Sequence, residues 1–346
     1  MTSQDRGDFR LNVLNPGGRD PEQHFTKASA KPGAHAPVNY HAYAACTGGS
    51  FFRDTKRAIA ADAPVLLLLR GDFRASARAL KELKKAELTV AVCLKETGLH
   101  QIADQLRDSA RLQRFLEIVR AADGCLASTP EAADIYRTIR GTDGPAAFIP
   151  TPYPLEDARW NLSRPIEERS GIFIGTREWD VPSRNHGAAL LAARQISEAT
   201  GESVTVFNFD GRGGARWLAK IDFALHKLNV LTERSSYADY LRVVARHKII
   251  FQLDSSFVPG QVAGDALLCR VPCVGGNGAI ERIGFPEFCG VNRAISELIE
   301  IAIKLLRDEA EYRAAVTRLE KHAIEKLSFR AIAPRLQEFF AAIASK

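Results

Sequence analysis

The sequence predicts an α/β protein with two Rossmann-like domains in tandem, each built on an open, mostly parallel sheet, with a cleft between the domains. Short buried apolar runs alternate with amphipathic segments along the chain, as strands and crossover helices do in parallel sheets. A proline-rich, charged segment over residues 151–171 interrupts this alternation near the middle, as a linker would. The length of 346 residues also exceeds the usual size of a single core.

The N-terminal half begins with "LNVLNPGG", which ends at Gly17 and Gly18 and is typical of a buried strand followed by a turn. Residues 20–38 are polar and are predicted to form a loop. The following elements are, in order, the strand "APVLLLLRG", the helix "RASARALKELKKAE", the strand "LTVAVCLKE", one long helix over residues 101–122, the strand "GCLAST", a helix opened by Pro130, and "PAAFIPTPYP".

Beyond the linker the same alternation restarts. Its elements are the strand "GIFIGTREW", a helix ending at Gly201, the strand "SVTVFNFDG", a helix with Ser236 and Asp239 as a capping box, and the strand "KIIFQLDSS". The stretch "GDALLCRVPCVGGNGAIERIGF" then predicts a helix, a three-residue strand and a glycine-rich loop. Helices complete the chain. We therefore predict domains over residues 1–152 and 153–327, followed by a final helix over residues 328–346.

The charge balance limits the classes of partner. Lys and Arg number 47 against 41 Asp and Glu, a net charge of +6. This modest excess suits phosphate-bearing small molecules, anionic glycans or an acidic membrane surface, and it is too small to indicate nucleic acid. The chain lacks an apolar run of membrane-spanning length and a signal-like start, so we expect a cytoplasmic protein, with peripheral association at the inner face of the membrane left open.

The six cysteines are scattered and sit mainly in or beside apolar, strand-like stretches. Reduced core thiols are the expected state. Cys269 and Cys273 form the closest pair, but no His or Cys lies near them at ligand spacing, so a zinc site is not predicted.

Three stretches carry a resemblance to a known family. They are "GIFIGTREWDVPSR", "FQLDSSFVPGQVAGDALLCRVPCVGG" and "KLSFRAIAPRLQEFF". In these the sequence resembles the C-terminal domain of the GT-B glycosyltransferases, especially glycosyltransferase family 4, over about residues 171–340. The resemblance implies transfer of a sugar from a nucleotide-sugar donor to a glycan, lipid-linked or other hydroxyl acceptor. It also implies a metal-independent reaction that needs no further cofactor. In addition, it implies that the final helix over residues 328–346 crosses back to the N-terminal domain.

The sequence departs from the family pattern in the donor site. The family has two glutamates eight positions apart; the second corresponds to Asp265, but the first corresponds to Phe257, which cannot accept a hydrogen bond from a sugar. The basic pair of the family corresponds to Arg177 and Arg184. A histidine that often follows an N-domain strand has no counterpart in "CLKETGLH".

Backbone N–H groups at glycine turns and helix starts, helped by arginine, are the groups expected to bind a diphosphate. Loops of this kind follow three strands of the second half, where an open sheet places its ligand. The predicted donor-binding residues are Gly175, Thr176, Arg177, Arg184, Gly260, Gln261, Asp265, Gly275, Gly276 and Asn277. By the resemblance, Asp265 binds the two ribose hydroxyls.

The N-terminal half supplies candidates to act on the acceptor hydroxyl. Glu96 and His100 follow a predicted strand, and His41 lies near "TGG"; each is a candidate catalytic acid or base. Gly17 and Gly18 are candidates to approach the acceptor or a donor phosphate. The aromatic side chains in "NYHAYAACTGGSFFRDTK" form either a stacking wall for an acceptor sugar or the inner face of a core helix.

Two other functions remain open from the sequence. The first is a GT-B-like protein that has lost catalysis and serves as a sugar-nucleotide binder or assembly subunit; Phe257 and the missing histidine motivate it. A dinucleotide-dependent enzyme is ranked lower, because no G-x-G-x-x-G turn follows a strand in "NPGGRD" or "GTREWD".

Overall fold

The structure of the protein, a computed structural model, describes residues 9–25, 35–141, 144–175, 178–209, 211–221, 223 and 227–345, without the side chain of residue 212. Its contacts divide the chain into two compact units, one formed by Met1–Pro154 with Ser328–Lys346 and the other by Leu155–Leu327. All three tryptophans of the chain, Trp160, Trp179 and Trp217, lie in the second unit.

The N-terminal unit is built on a sheet of seven described strands. The strands are β1 (Asn12–Leu14), β2 (Gln23–His24), β3 (Ser50–Phe52), β4 (Val65–Leu69), β5 (Val90–Leu94), β6 (Gly124–Ala127) and β7 (Ala146–Phe148). Their order is β2-β3-β1-β4-β5-β6-β7, and every pair is parallel except β2 with β3. The central strands β4 and β5 are buried throughout, as their continuous apolar runs predict.

Helices cover both faces of this sheet. They are α1 (Tyr40–Ala45), α2 (Thr55–Ala60), α3 (Arg74–Lys85), α4 (Leu99–Leu106), α5 (Ser109–Ala121) and α6 (Pro130–Arg140). The last helix of the chain, α14 (Phe329–Ala344), packs Ile332, Leu336 and Phe340 into the core under β1, β4 and β6. The two ends of the chain therefore build one core together.

The C-terminal unit is built on five described parallel strands in the order β10-β9-β8-β11-β12. The strands are β8 (Ile172–Ile174), β9 (Val204–Phe207), β10 (Leu228–Leu231), β11 (Ile249–Gln252) and β12 (Cys273–Gly275). The helices are α7 (His186–Thr200), α8 (Arg212–Leu218), α9 (Tyr237–Val244), α10 (Gln261–Cys269), α11 (Ala279–Gly284), α12 (Ile295–Arg307) and α13 (Glu309–Leu327). The two parallel α/β units confirm the predicted fold class.

Three predictions about single elements need correction. The helix predicted over residues 101–122 is two helices, because the Asp108 side chain accepts a hydrogen bond from Arg111 N and starts α5 afresh. The loop predicted over residues 20–38 contains the short strand β2, while residues 26–34 lie outside the described part. α8 and β10 had no counterpart among the predicted elements.

The cysteines have the state expected of core thiols. All six are free, and five of them are buried; Cys46 is half-buried. Burial raises the pKa of Cys93 to about 12 and that of Cys125 to about 12, so these thiols stay protonated at neutral pH.

Candidate donor site at the strand ends of the second sheet

Three loops meet at the carboxyl edge of the C-terminal sheet. They follow β8, β11 and β12, which are neighbours in the sheet and run parallel. Ser255 N donates to Ser183 O at 2.8 Å and so joins the β11 loop to the β8 loop. Asn277 N donates to Asp254 O at 3.0 Å and joins the β12 loop to the β11 loop. The edge where an open α/β sheet holds its ligand is therefore a single connected surface.

Side chains reinforce these connections. Asn185 Nδ2 donates to Leu253 O at 2.9 Å and to Ser255 Oγ at 3.0 Å. The hydroxyls of Ser256 and Ser183 lie 2.8 Å apart, and Phe257 N donates to the Asn277 side-chain oxygen at 2.9 Å. The predicted donor residue Asn277 thus has a defined structural partner in the neighbouring loop.

Glycine is required at this edge by geometry. Gly260 directly precedes α10 with φ 95°, and Gly275 and Gly276 have φ 88° and 73°, in the left-handed region that side chains rarely adopt. A Cβ atom on Gly275 would overlap the Gln252 carbonyl oxygen, because the backbones of β11 and β12 approach closely there. The glycine cluster therefore lets two strand-end loops pack against each other beside the start of α10.

Arg184 lies between two carboxylates. Its guanidinium is ion-paired with Asp254, and its Nε lies 2.6 Å from Glu178 Oε2. Burial opposes its charge, but Asp254 and Glu178 outweigh burial and raise the pKa of Arg184. Its charge is thus already matched within the protein, and it links the β8 loop to the β11 loop. The predicted donor-binding residues Thr176 and Arg177 lie outside the described residues. Gly175 directly follows β8 and packs against Val262 and Ile250.

Asp265 is buried in the middle of α10, four residues after Gln261 begins the helix. Its Oδ1 accepts a hydrogen bond from the Tyr237 hydroxyl at 2.5 Å. The other position of the family pair, Phe257, has φ 50° and carries its ring 5.6 Å from the Arg282 guanidinium. The acid expected there is replaced by an aromatic ring that attracts a cation.

Glu281 is a further acid at this edge that the sequence reasoning missed. It lies on α11 and is 1% exposed, and its Oε1 accepts a hydrogen bond from Gln252 Nε2 at 2.8 Å. Burial is the main reason that the pKa of Glu281 is raised to about 7, with Asp254 adding to the effect. The available signal was one acid in the apolar run "GAIERIGF" directly after the glycine loop.

The N-terminal unit has its own connected set of strand ends. Arg70, after β4, donates to Gly17 O at 2.6 Å, and Gly18 N donates to Asn15 O at 3.0 Å. The Asp20 carboxylate accepts from Asn15 Nδ2 at 2.7 Å and from Lys95 Nζ at 2.5 Å. Burial opposes its ionisation, but Lys95 outweighs burial and the pKa of Asp20 is lowered. The Gly17–Gly18 turn is therefore fixed between β1, β4 and β5.

The predicted acids and bases of this unit lie in different surroundings. Glu96 is exposed in the loop between β5 and α4, and His100 is exposed in the first turn of α4. His41 is buried, with its ring 3.7 Å from that of Phe51 and its Nε2 2.8 Å from Pro21 O. Burial lowers the pKa of His41 to about 4. This packing is that of a core residue, and we leave His41 out of the proposed mechanism.

The aromatic residues near His41 also belong to the interior. Tyr43 donates its hydroxyl to Ile149 O at 2.7 Å and is buried in one core with Tyr40 and Phe51. Phe52 is buried in the other core of the same unit. These buried positions fit the interpretation of the aromatic side chains in "NYHAYAACTGGSFFRDTK" as part of the core, and not as a stacking wall for an acceptor sugar.

No set of three or more His, Cys, Asp or Glu side chains is placed to hold a metal ion in the described part of the chain. No described helix combines the length and apolar character needed to cross a membrane.

Comparison with known proteins gives a result for structure only. The sequence matches no family model, and a search of curated proteins finds no match. Sucrose-phosphate synthase from Thermosynechococcus elongatus superposes with a TM-score of 0.60 at 14% identity, over 97% of this chain and 99% of that one. HepE from Anabaena, solved with UDP-glucose, gives a TM-score of 0.60 at 12% identity, over 83% and 80% of the two chains.

Trehalose-6-phosphate synthase from Burkholderia multivorans matches similarly, with a TM-score of 0.60 at 12% identity, over 84% of this chain and 73% of that one. These proteins are GT-B glycosyltransferases, whose fold consists of two Rossmann-like units. The chain therefore has the fold of the GT-B glycosyltransferases.

Proposed function

We propose that the protein transfers a sugar from a nucleotide-sugar donor to a hydroxyl acceptor and that the C-terminal unit binds the donor. The observation that carries this proposal is the connected carboxyl edge of β8, β11 and β12. There, glycine turns and the start of α10 bring backbone N–H groups together, as diphosphate binding requires. The solved complexes of HepE with UDP and with UDP-glucose support the choice of ligand.

The proposed chemistry is stabilisation of the leaving diphosphate. N–H groups of Gly260, of Gly276 and of the first turn of α10 bind its oxygens, and the dipole of α10 adds positive potential. The N–H groups of Gly275 and Asn277 instead donate to Phe288 O and Asp254 O and hold the loops in place. Arg177 supplies the cation, because the charge of Arg184 is matched by Asp254 and Glu178. Asp265 binds the ribose hydroxyls. We propose that the reaction needs neither a metal ion nor another cofactor.

The acceptor is assigned to the N-terminal unit. Glu96 and His100 are exposed after β5, where either can accept the proton of the attacking hydroxyl, and the Gly17–Gly18 turn lies at the same edge of the sheet. Replacement of Glu96 by Gln and of His100 by Asn separates the two candidates: loss of turnover with unchanged donor affinity identifies the base.

Binding of the donor is tested directly by calorimetry with UDP-glucose, GDP-mannose, dTDP-glucose and ADP-glucose. One of them is expected to bind, and Arg177→Ala and Asp265→Asn are expected to weaken its affinity at least tenfold, or about 1.4 kcal/mol. Arg216→Ala, on the exposed surface of the same unit, is the control. No binding in the whole panel, or full affinity in both variants, contradicts the assignment.

Turnover is a separate test. Slow hydrolysis of the bound nucleotide sugar, or transfer to an added glycan, is expected of an enzyme. Binding without either reaction supports the binder or assembly role that Phe257 motivated.

We further propose that the acceptor is presented at an anionic membrane surface, to which this cytoplasmic protein binds peripherally. A groove of about 680 Å³ between α3 and α5 has an apolar floor that includes Leu80 and Ile118. Five cations and one acid line it: Arg74, Arg78, Lys81, Lys84, Arg114 and Glu117. Basic side chains around an apolar surface are the combination that binds anionic lipid.

Vesicle sedimentation tests the groove. The protein is expected to bind phosphatidylcholine vesicles only when they contain phosphatidylglycerol, and added salt is expected to weaken binding. Arg78→Glu with Lys81→Glu should abolish it, whereas Lys56→Glu, an exposed cation on α2, should not. Equal binding by the unaltered protein and by the variant with Arg78→Glu and Lys81→Glu contradicts the assignment of the groove as the membrane site.

A further inference from the structure

Only one oxygen of the Glu281 carboxyl group accepts a hydrogen bond from a described residue. Gln252 Nε2 donates to Oε1, but Oε2 is buried and has no hydrogen-bond partner among the residues that the structure describes. A buried polar atom without a partner is unfavourable, because it has lost its hydrogen bonds to water and gained none in the protein. Such atoms are rare in folded proteins and each needs an explanation.

The unpartnered oxygen points at the glycines of the proposed donor site. A Cβ atom on Gly260 or on Gly278 would overlap Oε2, and one on Gly276 would lie 3.1 Å from Oε1. These glycines belong to both the β11–α10 loop and the β12–α11 loop. Glu281 therefore contacts both loops from within the protein interior.

The charged neighbours of Glu281 come from three elements. Asp254 at the end of β11 disfavours a second negative charge, and Arg184, ahead of α7, favours it. The Cys273 thiol of β12 also faces it, and burial keeps that thiol neutral by raising its pKa well above the ordinary value. Arg184 is already paired with both Asp254 and Glu178, so little positive charge remains for Glu281.

We propose that Glu281 is a positioning residue of the donor site that is protonated when a nucleotide diphosphate is bound, so that donor binding takes up a proton. This inference rests on the proposed function. An ionised Glu281 would place negative charge beneath the loops that receive the two phosphate charges. The neutral carboxyl removes this repulsion and keeps the Gln252 hydrogen bond that holds β11 to α11.

The sign of the expected pH dependence follows from this linkage. The free protein loses the Glu281 proton as the pH rises through about 7. The bound form retains the proton, so the apparent affinity for the donor falls as the pH rises above that value. The limit for one proton is an increase in Kd of about tenfold per pH unit.

The experiment uses the nucleotide sugar that binds most tightly in the panel of four. Its diphosphate is esterified at both ends, so its own charge stays constant between about pH 6 and pH 8.5. Calorimetry at about pH 7.5 in two buffers of different ionisation enthalpy measures the protons taken up. An uptake of a substantial fraction of one proton, with Kd rising towards pH 8.5, is the expected result.

Glu281→Gln keeps the size of the side chain and the acceptor for Gln252 but is neutral at every pH. It is expected to remove the proton uptake and to bind the donor at pH 8.5 several-fold more tightly than the unaltered protein. Glu287→Gln, which removes an exposed acid near the end of α11, is the matched control and should leave uptake unchanged. Thermal melting of both variants verifies that they are folded.

The outcomes separate the two proposals. Donor binding with no proton uptake and a flat pH profile in the unaltered protein overturns the inference and leaves the proposed function intact; that measurement needs no variant. Proton uptake that persists in folded Glu281→Gln also overturns it. Failure of all four nucleotide sugars to bind at any pH overturns both.

Discussion

At the scale of single residues, buried charge is the main constraint on the candidate site. Asp254 has only 5% of its side chain exposed and Arg184 17%, so each is largely removed from water and depends on the other. Removing one partner of such a pair leaves a buried charge without compensation, which is more harmful than removing both. Arg184 therefore stabilises the loops whatever it does for a ligand.

Replacing Arg184 by Ala is expected to lower the free energy of unfolding of the C-terminal unit by about 3 kcal/mol. Changing Asp254 to Asn as well should restore part of that loss, because the uncompensated carboxylate is then removed. Urea denaturation followed by tryptophan fluorescence measures both. A double variant less stable than Arg184→Ala would argue against charge as the cause.

Buried histidine produces a second effect at this scale. His247 is 7% exposed, and its ring nitrogens lie 2.8 Å from Thr205 Oγ1 and 2.9 Å from Val243 O. Burial lowers the pKa of His247 from 6.5 to about 4. Below pH 6.5 the unfolded chain therefore binds a proton that the folded chain does not, and stability falls as the pH decreases towards 4.

His247→Gln is expected to reduce the loss of stability between pH 7 and pH 4 by up to about 3 kcal/mol. Denaturation of the C-terminal unit at a series of pH values measures this change. His322→Gln on α13 serves as the control. Identical pH profiles for His247→Gln and the unaltered protein would show that the histidine is not kept neutral by the fold.

At the scale of elements, the glycine loops at the strand ends determine how closely β11 and β12 approach. Gly275 has a left-handed backbone, and the carbonyl oxygen of Gln252 lies where a Cβ atom of residue 275 would be. Gly71 also has a positive φ, 61°, but open space surrounds its Cβ position. Gly71→Ala is therefore expected to carry only the backbone penalty of about 1–2 kcal/mol. Gly275→Ala must also separate two strands.

Gly275→Ala is expected to lower stability by clearly more than Gly71→Ala and to weaken donor binding. Urea denaturation of each variant, with calorimetry for binding, gives the comparison. Equal losses in the two variants would mean that the close approach of β11 and β12 contributes nothing beyond backbone strain.

Apolar strands bounded by turn residues were predictable from the sequence, including the three-residue β12, whereas short elements without clear periodicity were not. β4, β5 and β11 are apolar runs between turn residues, and α7 ends at Gly201 as its sequence indicates. The segment over residues 39–60 holds six-residue helices and a three-residue strand, which are stable only through packing in the unit and have no clear periodicity of their own. The helix break at Asp108 was hidden because the apolar pattern continues across it.

The candidate site was predictable to a similar degree. The three loops come together because parallel strands share a carboxyl edge, which strand order alone requires. The burial of Glu281 was not predictable, because an acid in a helix is normally exposed. Only the packing of Gly260 and Gly278 around its carboxyl group shows that it is buried. The partners of Arg184 depend in the same way on contacts between distant parts of the chain.

At the scale of the whole molecule, the N-terminal unit needs both ends of the chain. Phe340 is 1% exposed in a core that includes Leu11 and Val13, more than 300 residues earlier in the sequence. Replacing a buried phenylalanine by alanine leaves a cavity and typically lowers the free energy of unfolding by about 3–5 kcal/mol. Folding of this unit therefore depends on the last helix.

Phe340→Ala is expected to destabilise the N-terminal unit by about this amount, while Glu338→Ala, at an exposed position of the same helix, is expected to change it by less than about 0.5 kcal/mol. Far-ultraviolet circular dichroism during urea denaturation measures the loss. If Phe340→Ala left the free energy of unfolding of the N-terminal unit unchanged, that result would contradict the packing of α14.

The placement of the tryptophans gives these experiments a selective optical probe. Because Trp160, Trp179 and Trp217 all belong to the C-terminal unit, intrinsic tryptophan emission reports on that half of the protein and contains no signal from the other. Trp179 follows β8 and packs beside His186 at the start of α7. Nucleotide titrations can therefore be read without labelling, and an N-terminal unit that melts first would change the dichroism while the emission stays constant.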